Sequence, residues 1–273
     1  MVSSSDFSQT VPVSPGTTSD NSKPCGVSLT GKVCIVTGSS RGIGKAIAVA
    51  LAQNGAAVYA TATSLANFYC WADTERSVGP GKIVPLAFDV SDPAACREAV
   101  LGVKRSSGRI DALVNNAGVE YNELIGMIDD EHLTHMLDVN VRGPINMIQA
   151  VSRIMGRQGG GSIVNIASRV GESGNAGQLA YSATKGAVIA LTKSAAKELG
   201  SKGIRVNAVS PGLTDTDMMK AASRDNLSGR IENISLGRLV QPEEIANMCL
   251  FLISDASSFV SGQVIAVDGC SVL

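Results

Sequence analysis

The sequence predicts an α/β protein, a single domain built on a seven-stranded parallel sheet. Three observations carry the prediction. From residue 32 onward, short β-rich runs alternate with longer helical patterns. The β-rich runs are continuously apolar, as in strands covered on both faces. Neither an internal repeat nor a second domain interrupts the alternation after residue 30.

The elements follow in order. "KVCIVT" is the first strand, and "GIGKAIAVALAQNG" is a helix ended by Gly55. "AAVYATA" and "KIVPLAFDV" are the second and third strands. "SDPAACREAVLGVKRSSG" starts a helix at Ser-Asp-Pro, and "IDALVNNAG" holds the fourth strand. One long helical stretch covers about 130 to 157. "GSIVNIAS" is the fifth strand, followed by the long helix within "GQLAYSATKGAVIALTKSAAKELGSKG". "IRVNAVSPG" is the sixth strand, and an irregular polar stretch runs on to about 240. "QPEEIANMCLFLISDASS" is a helix with Pro242 suited to its first turn. "GQVIAVDGC" closes the sheet as the seventh strand. The architecture that fits is a doubly wound Rossmann domain over residues 30–273.

Residues 1–29 are rich in Ser, Thr and Pro and are expected to be a disordered tail. They show neither the apolar core of a signal peptide nor the arginines of a mitochondrial presequence, so a cytoplasmic location is expected. The sequons at Asn226 and Asn233 then carry no weight. Net charge is -1, which gives no support for nucleic-acid or anionic-membrane binding. No apolar run is long enough to span a bilayer. The six cysteines, at 25, 34, 70, 96, 249 and 270, are scattered without metal or redox spacing and read as reduced. Cys34, in an apolar run, is expected to be a buried small hydrophobe. His132 and His135 lie three apart on a polar helix and are expected to be solvated. No metal site is expected.

"TGSSRGIG" (37–44) joins the first strand to the first helix. Gly38, Gly42 and Gly44 permit a tight turn and let backbone N–H groups approach a pyrophosphate at a helix N-terminus. The position within a βαβ unit is what makes the glycines informative. An acid at the end of the second strand would bind the ribose 2′-OH of NAD. "YATATS" has no acid there, and none follows until Asp73. Arg41 is placed to meet a 2′-phosphate. The pattern therefore favours NADP(H).

"AYSATKGAV" (180–188) places Tyr181 four positions ahead of Lys185, one turn apart on one helix face. An ammonium beside a phenol lowers the phenol pKa and suits it to proton transfer. The pair alone also fits an interfacial tyrosine beside a solvated lysine, and the rest of the chain decides between them.

With "TGSSRGIG", "NNAG" (115–118), Asn140 in "DVNVRG", Ser168 in "NIAS", "YSATK" and "SPG" (210–212) in this order, the chain resembles the classical short-chain dehydrogenases/reductases over about 30–273. "TGSSRGIGKAIA", "SGNAGQLAYSATKGAV", "DMM" after "PGLTDT" and the C-terminal "LGRLVQPEEIANMCLFLISDASSFVSGQVIAVDG" are similar to the 3-oxoacyl-(acyl-carrier-protein) reductases. The resemblance implies that Tyr181 is the general acid. It implies that Lys185 lowers the Tyr181 pKa and holds the nicotinamide ribose, and that Ser168 stabilises the carbonyl oxygen. Asn140 would hold a water linking Lys185 to solvent.

Further roles carry over by resemblance. Ser40, Arg41 and Ile43 join the glycines in the phosphate loop, and Thr63 faces the ribose phosphate. Asp89 and Val90 hold the adenine. Asn116, Ala117 and Gly118 line the ribose path. Pro211, Gly212, Leu213 and Thr214 bracket the carboxamide. Residues from about 213 to 237 form a substrate lid. The resemblance also implies a homotetramer and a ketone substrate, either bound to acyl-carrier protein or a free small molecule such as a sugar, steroid or natural-product intermediate. A non-redox scaffold or cyclase is the remaining alternative. Departures bear on the substrate. Arg169 stands where a small apolar residue is usual, Glu172 follows it, and Glu120 and Tyr121 come just after "NNAG". Arg157, Arg169 and Lys202 are the basic residues on hand for carrier docking. Cys270 replaces the second glycine of the C-terminal "DGG".

Overall fold

A computed structural model describes residues 27–68, 79–216 and 227–271. The strands are β1 (Val33–Val36), β2 (Ala57–Ala62), β3 (Lys82–Ala87), β4 (Ala112–Asn115), β5 (Gly161–Ile166), β6 (Ile204–Pro211) and β7 (Val264–Val267). They form one parallel sheet in the order β3-β2-β1-β4-β5-β6-β7. The order reverses between β1 and β4, which opens a crevice at their carboxyl ends. The helices are α1 (Gly42–Gln53), α2 (Pro93–Ser107), α3 (Asp130–Leu137), α4 (Gly143–Arg157), α5 (Val170–Ser173), α6 (Leu179–Leu199), α7 (Leu227–Glu232) and α8 (Pro242–Ile253).

The five inner strands bury both faces, which explains their unbroken apolar runs, whereas the edge strands β3 and β7 are only partly covered. Cys34 and Val36 point into a core layer with Ile47 and Leu51 of α1 and Ile245, Cys249 and Leu252 of α8. Val33 and Ile35 point the other way, toward Val100 and Val103 of α2 and Met147, Val151 and Met155 of α4. Leu29, on the tail side of the expected boundary, is fully buried in the first layer, and its N–H donates to Asn54 O at 2.7 Å. Cys34, Cys96 and Cys249 are free and buried, while Cys270 is exposed. The tail up to residue 26 lies outside the described residues, as do Cys70 and Asp73. No helix among the described residues is long and apolar enough to cross a membrane.

Three elements differ from expectation. Strand β3 ends at Ala87, not at residue 90, and Pro85 within it is tolerated because β3 is a sheet edge. The helical stretch 130–157 is not continuous: a π-turn, Asp138–Arg142, separates α3 from α4. Such turns carry an extra residue per turn and gather at functional sites. Within the expected lid, α7 covers Leu227–Glu232, and residues 217–226 lie outside the described residues.

Candidate active site

A cleft of about 860 Å³ runs along the carboxyl ends of the strands. At one end, the turn after β1 brings Gly38, Ser40, Arg41, Gly42, Ile43 and Gly44 to its wall. Gly38 and Gly42 have φ of +60° and +55°. A Cβ on Gly38 would lie 2.6 Å from Ala117 Cα, and one on Gly44 would lie 2.3 Å from Gly38 O. Only glycine lets these backbones meet. Thr37 and Asn116 hold the turn against β4. Thr37 Oγ1 accepts from Asn116 N and Ala117 N, each at 3.0 Å, and Asn116 Nδ2 donates to Thr37 O and Gly38 O at 3.0 and 2.9 Å. Helix α1 begins at this turn with no side-chain cap on its first N–H groups and no acid in its first turn. Helix N-terminal donors behind a glycine-rich turn suit the pyrophosphate of a dinucleotide.

Arg41, Thr63 and Asp89 line the cleft and are exposed, and no acidic side chain stands between β2 and Phe68. Asp89 Oδ1 accepts from Ser91 N and Ser91 Oγ, both at 2.8 Å. Val90, Asn116, Ala117, Gly118, Pro211, Gly212, Leu213 and Thr214 all border the same cleft, as do Ser168, Tyr181 and Lys185.

Asn140 does not border it. The π-turn buries Asn140 to 1% exposure and aims its amide at Val119. Nδ2 donates to Val119 O at 2.8 Å and to Thr184 Oγ1 at 3.1 Å, and Oδ1 accepts from Val119 N at 2.8 Å. Its side chain thus ties α6 to the segment after β4.

Ser168 follows β5, and its hydroxyl lies near enough to the Tyr181 hydroxyl to favour the phenolate, lowering the phenol pKa. Lys185 is buried, and its Nζ donates to Ile166 O at 3.0 Å, 5.6 Å from the Tyr181 ring centroid. Helix α5 packs tightly on α6 here: a Cβ on Gly171 would lie 2.7 Å from Lys185 C. Burial pulls the Lys185 pKa down to about 8, with Glu120 opposing. The Tyr181 pKa is raised, first by burial and then by the Glu120 carboxylate, with the Ser168 hydroxyl opposing. The direction is opposite to that expected from the Tyr-Lys spacing. The phenol is desolvated, and the Lys185 amine is itself hard to charge and turned toward a backbone carbonyl.

Asn67 and Asn122 line the cleft with no sequence signal, while Asn175, Gln178, Thr216 and Arg230 join it from quoted motifs or the expected lid without having been singled out. Gln178 Nε2 donates to Glu120 Oε1, which fixes that carboxylate in the wall. The histidines are not simply solvated. His132 stacks on Tyr121 with ring centroids 3.9 Å apart and bonds Glu123 at 2.7 Å, and the Tyr121 hydroxyl meets His135 Nδ1 at 3.0 Å. No metal-binding cluster is present among the described residues. Arg169 is held in ion pairs with Glu172 and Asp268, which removes it from the expected docking set, whereas Arg157 and Lys202 are exposed.

A family model described as enoyl-(acyl carrier protein) reductase matches residues 38–270. The 3-oxoacyl-(acyl-carrier-protein) reductase of Thermotoga maritima is 43% identical over 245 residues, covering 90% of this chain and 99% of the relative. A 3α-hydroxysteroid dehydrogenase of Mediterraneibacter gnavus is 40% identical over 244 residues, covering 89% and 98%. A short-chain type dehydrogenase/reductase from Mycobacterium ulcerans superposes with a TM-score of 0.86 at 35% identity, covering 89% of this chain and 90% of that one. With sheet order, cleft and similarity in agreement over most of its length, the chain belongs to the short-chain dehydrogenase/reductase family, as an oxidoreductase acting between CH–OH and C=O and similar to the 3-oxoacyl-(acyl-carrier-protein) reductases.

Proposed function

We propose that the protein is an NADPH-dependent ketone reductase whose substrate is a 3-oxoacyl thioester on acyl-carrier protein. The observation that carries the reading is the hydroxyl pair of Ser168 and Tyr181 in the cleft wall, with Lys185 one helical turn beyond. A nicotinamide held in the cleft would supply the hydride. Tyr181 keeps its proton at neutral pH, because burial and Glu120 disfavour the phenolate. Its hydroxyl is therefore in the donating form. As hydride reaches the carbonyl carbon, the C=O π pair moves to oxygen. The Tyr181 O–H bond then breaks toward that oxygen and leaves an alcohol and a phenolate. Ser168 donates a hydrogen bond to the same oxygen and stabilises its growing charge. Lys185 would hold the ribose hydroxyls and favour return of the proton. Asn140 acts on the site through the backbone it pins, at Val119 and α6.

The choice of NADPH rests on the exposed Arg41 and on the acid-free end of β2. The choice of a carrier-bound thioester rests on the similarity to 3-oxoacyl-(acyl-carrier-protein) reductases. A second reading, reduction of a free small-molecule ketone, is favoured by the Glu120 carboxylate in the cleft wall and by the hydroxysteroid dehydrogenase relative. NADPH oxidation followed at 340 nm with acetoacetyl-CoA, with NADH and with a panel of free ketones separates the readings. Turnover of the thioester with NADPH and not NADH supports the first. Silence on the thioester with activity on a free ketone moves the protein to the second.

Assembly as a homotetramer belongs to the same proposal. Leu137 and Ile145 around the π-turn, Phe251 on α8 and Phe259 shortly after it are exposed large hydrophobics that subunit contacts would cover.

A further inference from the structure

We infer that Arg169 is a positioning residue that locks Ser168 and the Pro211–Gly212 turn to the chain end after β7. It rests on the ketone-reductase reading only for its kinetic consequence. Arg169 directly follows Ser168, and three segments converge on it. Its backbone N–H donates to Pro211 O at 3.0 Å. Nη1 donates to Glu172 Oε2 at 2.8 Å, and Glu172 Oε1 accepts from Ser210 Oγ at 2.6 Å. Ser210 is fully buried at the end of β6, one residue before Pro211. Nε lies 2.9 Å from Asp268 Oδ2, an ion pair bent away from hydrogen-bond geometry. Asp268 Oδ1 in turn accepts from Cys270 N at 3.0 Å.

The backbone repeats the convergence. Gly212 N donates to Val267 O at 2.9 Å, and a Cβ on Gly212 would lie 2.8 Å from Asp268 Cα. Cys270 holds a left-handed φ of +58°, and its carbonyl accepts from Ser235 Oγ at 2.9 Å. The ends of β5, β6 and β7 are therefore cross-linked through one guanidinium lying between two carboxylates. A small apolar residue at position 169 would leave the backbone contact to Pro211 and remove both charge contacts. The planar fork matters, because an ammonium cannot face both carboxylates in the same way. The two carboxylates also neutralise the guanidinium, so it serves the cleft by shape rather than as an anion receptor.

The test compares the full-length parent with Arg169→Ala and Arg169→Lys by backbone amide exchange over 168–173, 208–213 and 267–271. NADPH affinity is read by fluorescence, and kcat is expressed per NADPH-binding site. The expected result for Arg169→Ala is faster exchange in all three segments and a kcat lower by about tenfold or more, with a smaller loss of NADPH affinity. Arg169→Lys recovers part of both. Faster exchange confined to 168–173, or a kcat within twofold of the parent, overturns the inference. If Arg169→Ala does not fold, the Lys variant alone decides by the same exchange pattern. A parent that reduces no ketone strikes the functional reading, and the exchange comparison then decides this one by itself.

Discussion

Replacing Asn140 with alanine tests whether the π-turn is held by its side chain. The asparagine makes three hydrogen bonds, two to the backbone of Val119 and one to Thr184. Alanine leaves the Val119 N–H and C=O without partners. Each buried orphan costs about 1–3 kcal/mol. Val119 is only half-buried, so water relieves part of this, and the lower half of the range applies. Thr184 loses a donor but keeps its own bond to Tyr181 O at 2.8 Å. The sum is about 2–4 kcal/mol, or a fall in Tm of about 5–15 °C for a domain of this size. Guanidinium unfolding at one fixed protein concentration measures it. Asn140→Asp is expected to do no better, because it keeps the acceptor for Val119 N but turns a carboxylate toward Val119 O. A loss under about 0.5 kcal/mol for the alanine variant would show that the turn is held by something else.

Other consequences are open to direct measurement. Arg41→Ala should weaken NADPH far more than NADH, and equal effects on both would remove the case for the 2′-phosphate. Lys185 has a pKa lowered to about 8, so its ammonium is present below that pH and lost above it. Because kcat/KM for NADPH reports the free enzyme, it should fall as pH rises past about 8, and a flat profile to pH 10 would contradict the assignment. Gly171→Ala forces α5 away from α6, since its Cβ would sit 2.7 Å from the Lys185 backbone. A destabilisation of about 1–3 kcal/mol is expected, and a neutral variant would mean that α5 yields freely.

The parts of the fold set by local chemistry were legible in the sequence. Gly38 and Gly44 announce a close backbone approach, and the apolar strands announce burial on both faces. The candidate site residues were legible through ordered motifs, and all but Asn140 lie on one cleft. What was not legible depends on contacts between distant segments. The π-turn keeps the polar and apolar spacing of an ordinary helix, so nothing in "LDVNVRG" betrays it. The Tyr181 pKa direction was misjudged because spacing shows that Lys185 is a neighbour but not that Lys185 is buried, that the phenol is desolvated in the cleft wall or that Glu120 faces them. Arg169 reads as a free surface cation until the fold brings Asp268 to it. The stack of His132 on Tyr121 is equally invisible before the chain turns back after β4.

The central claim is that Tyr181 delivers the proton. The direct test is Tyr181→Phe, assayed by NADPH oxidation with whichever ketone the parent reduces and by NADPH binding on the same sample. Removal of the hydroxyl is predicted to lower kcat by about 10²- to 10⁴-fold while NADPH still binds. A variant as active as the parent would contradict the account.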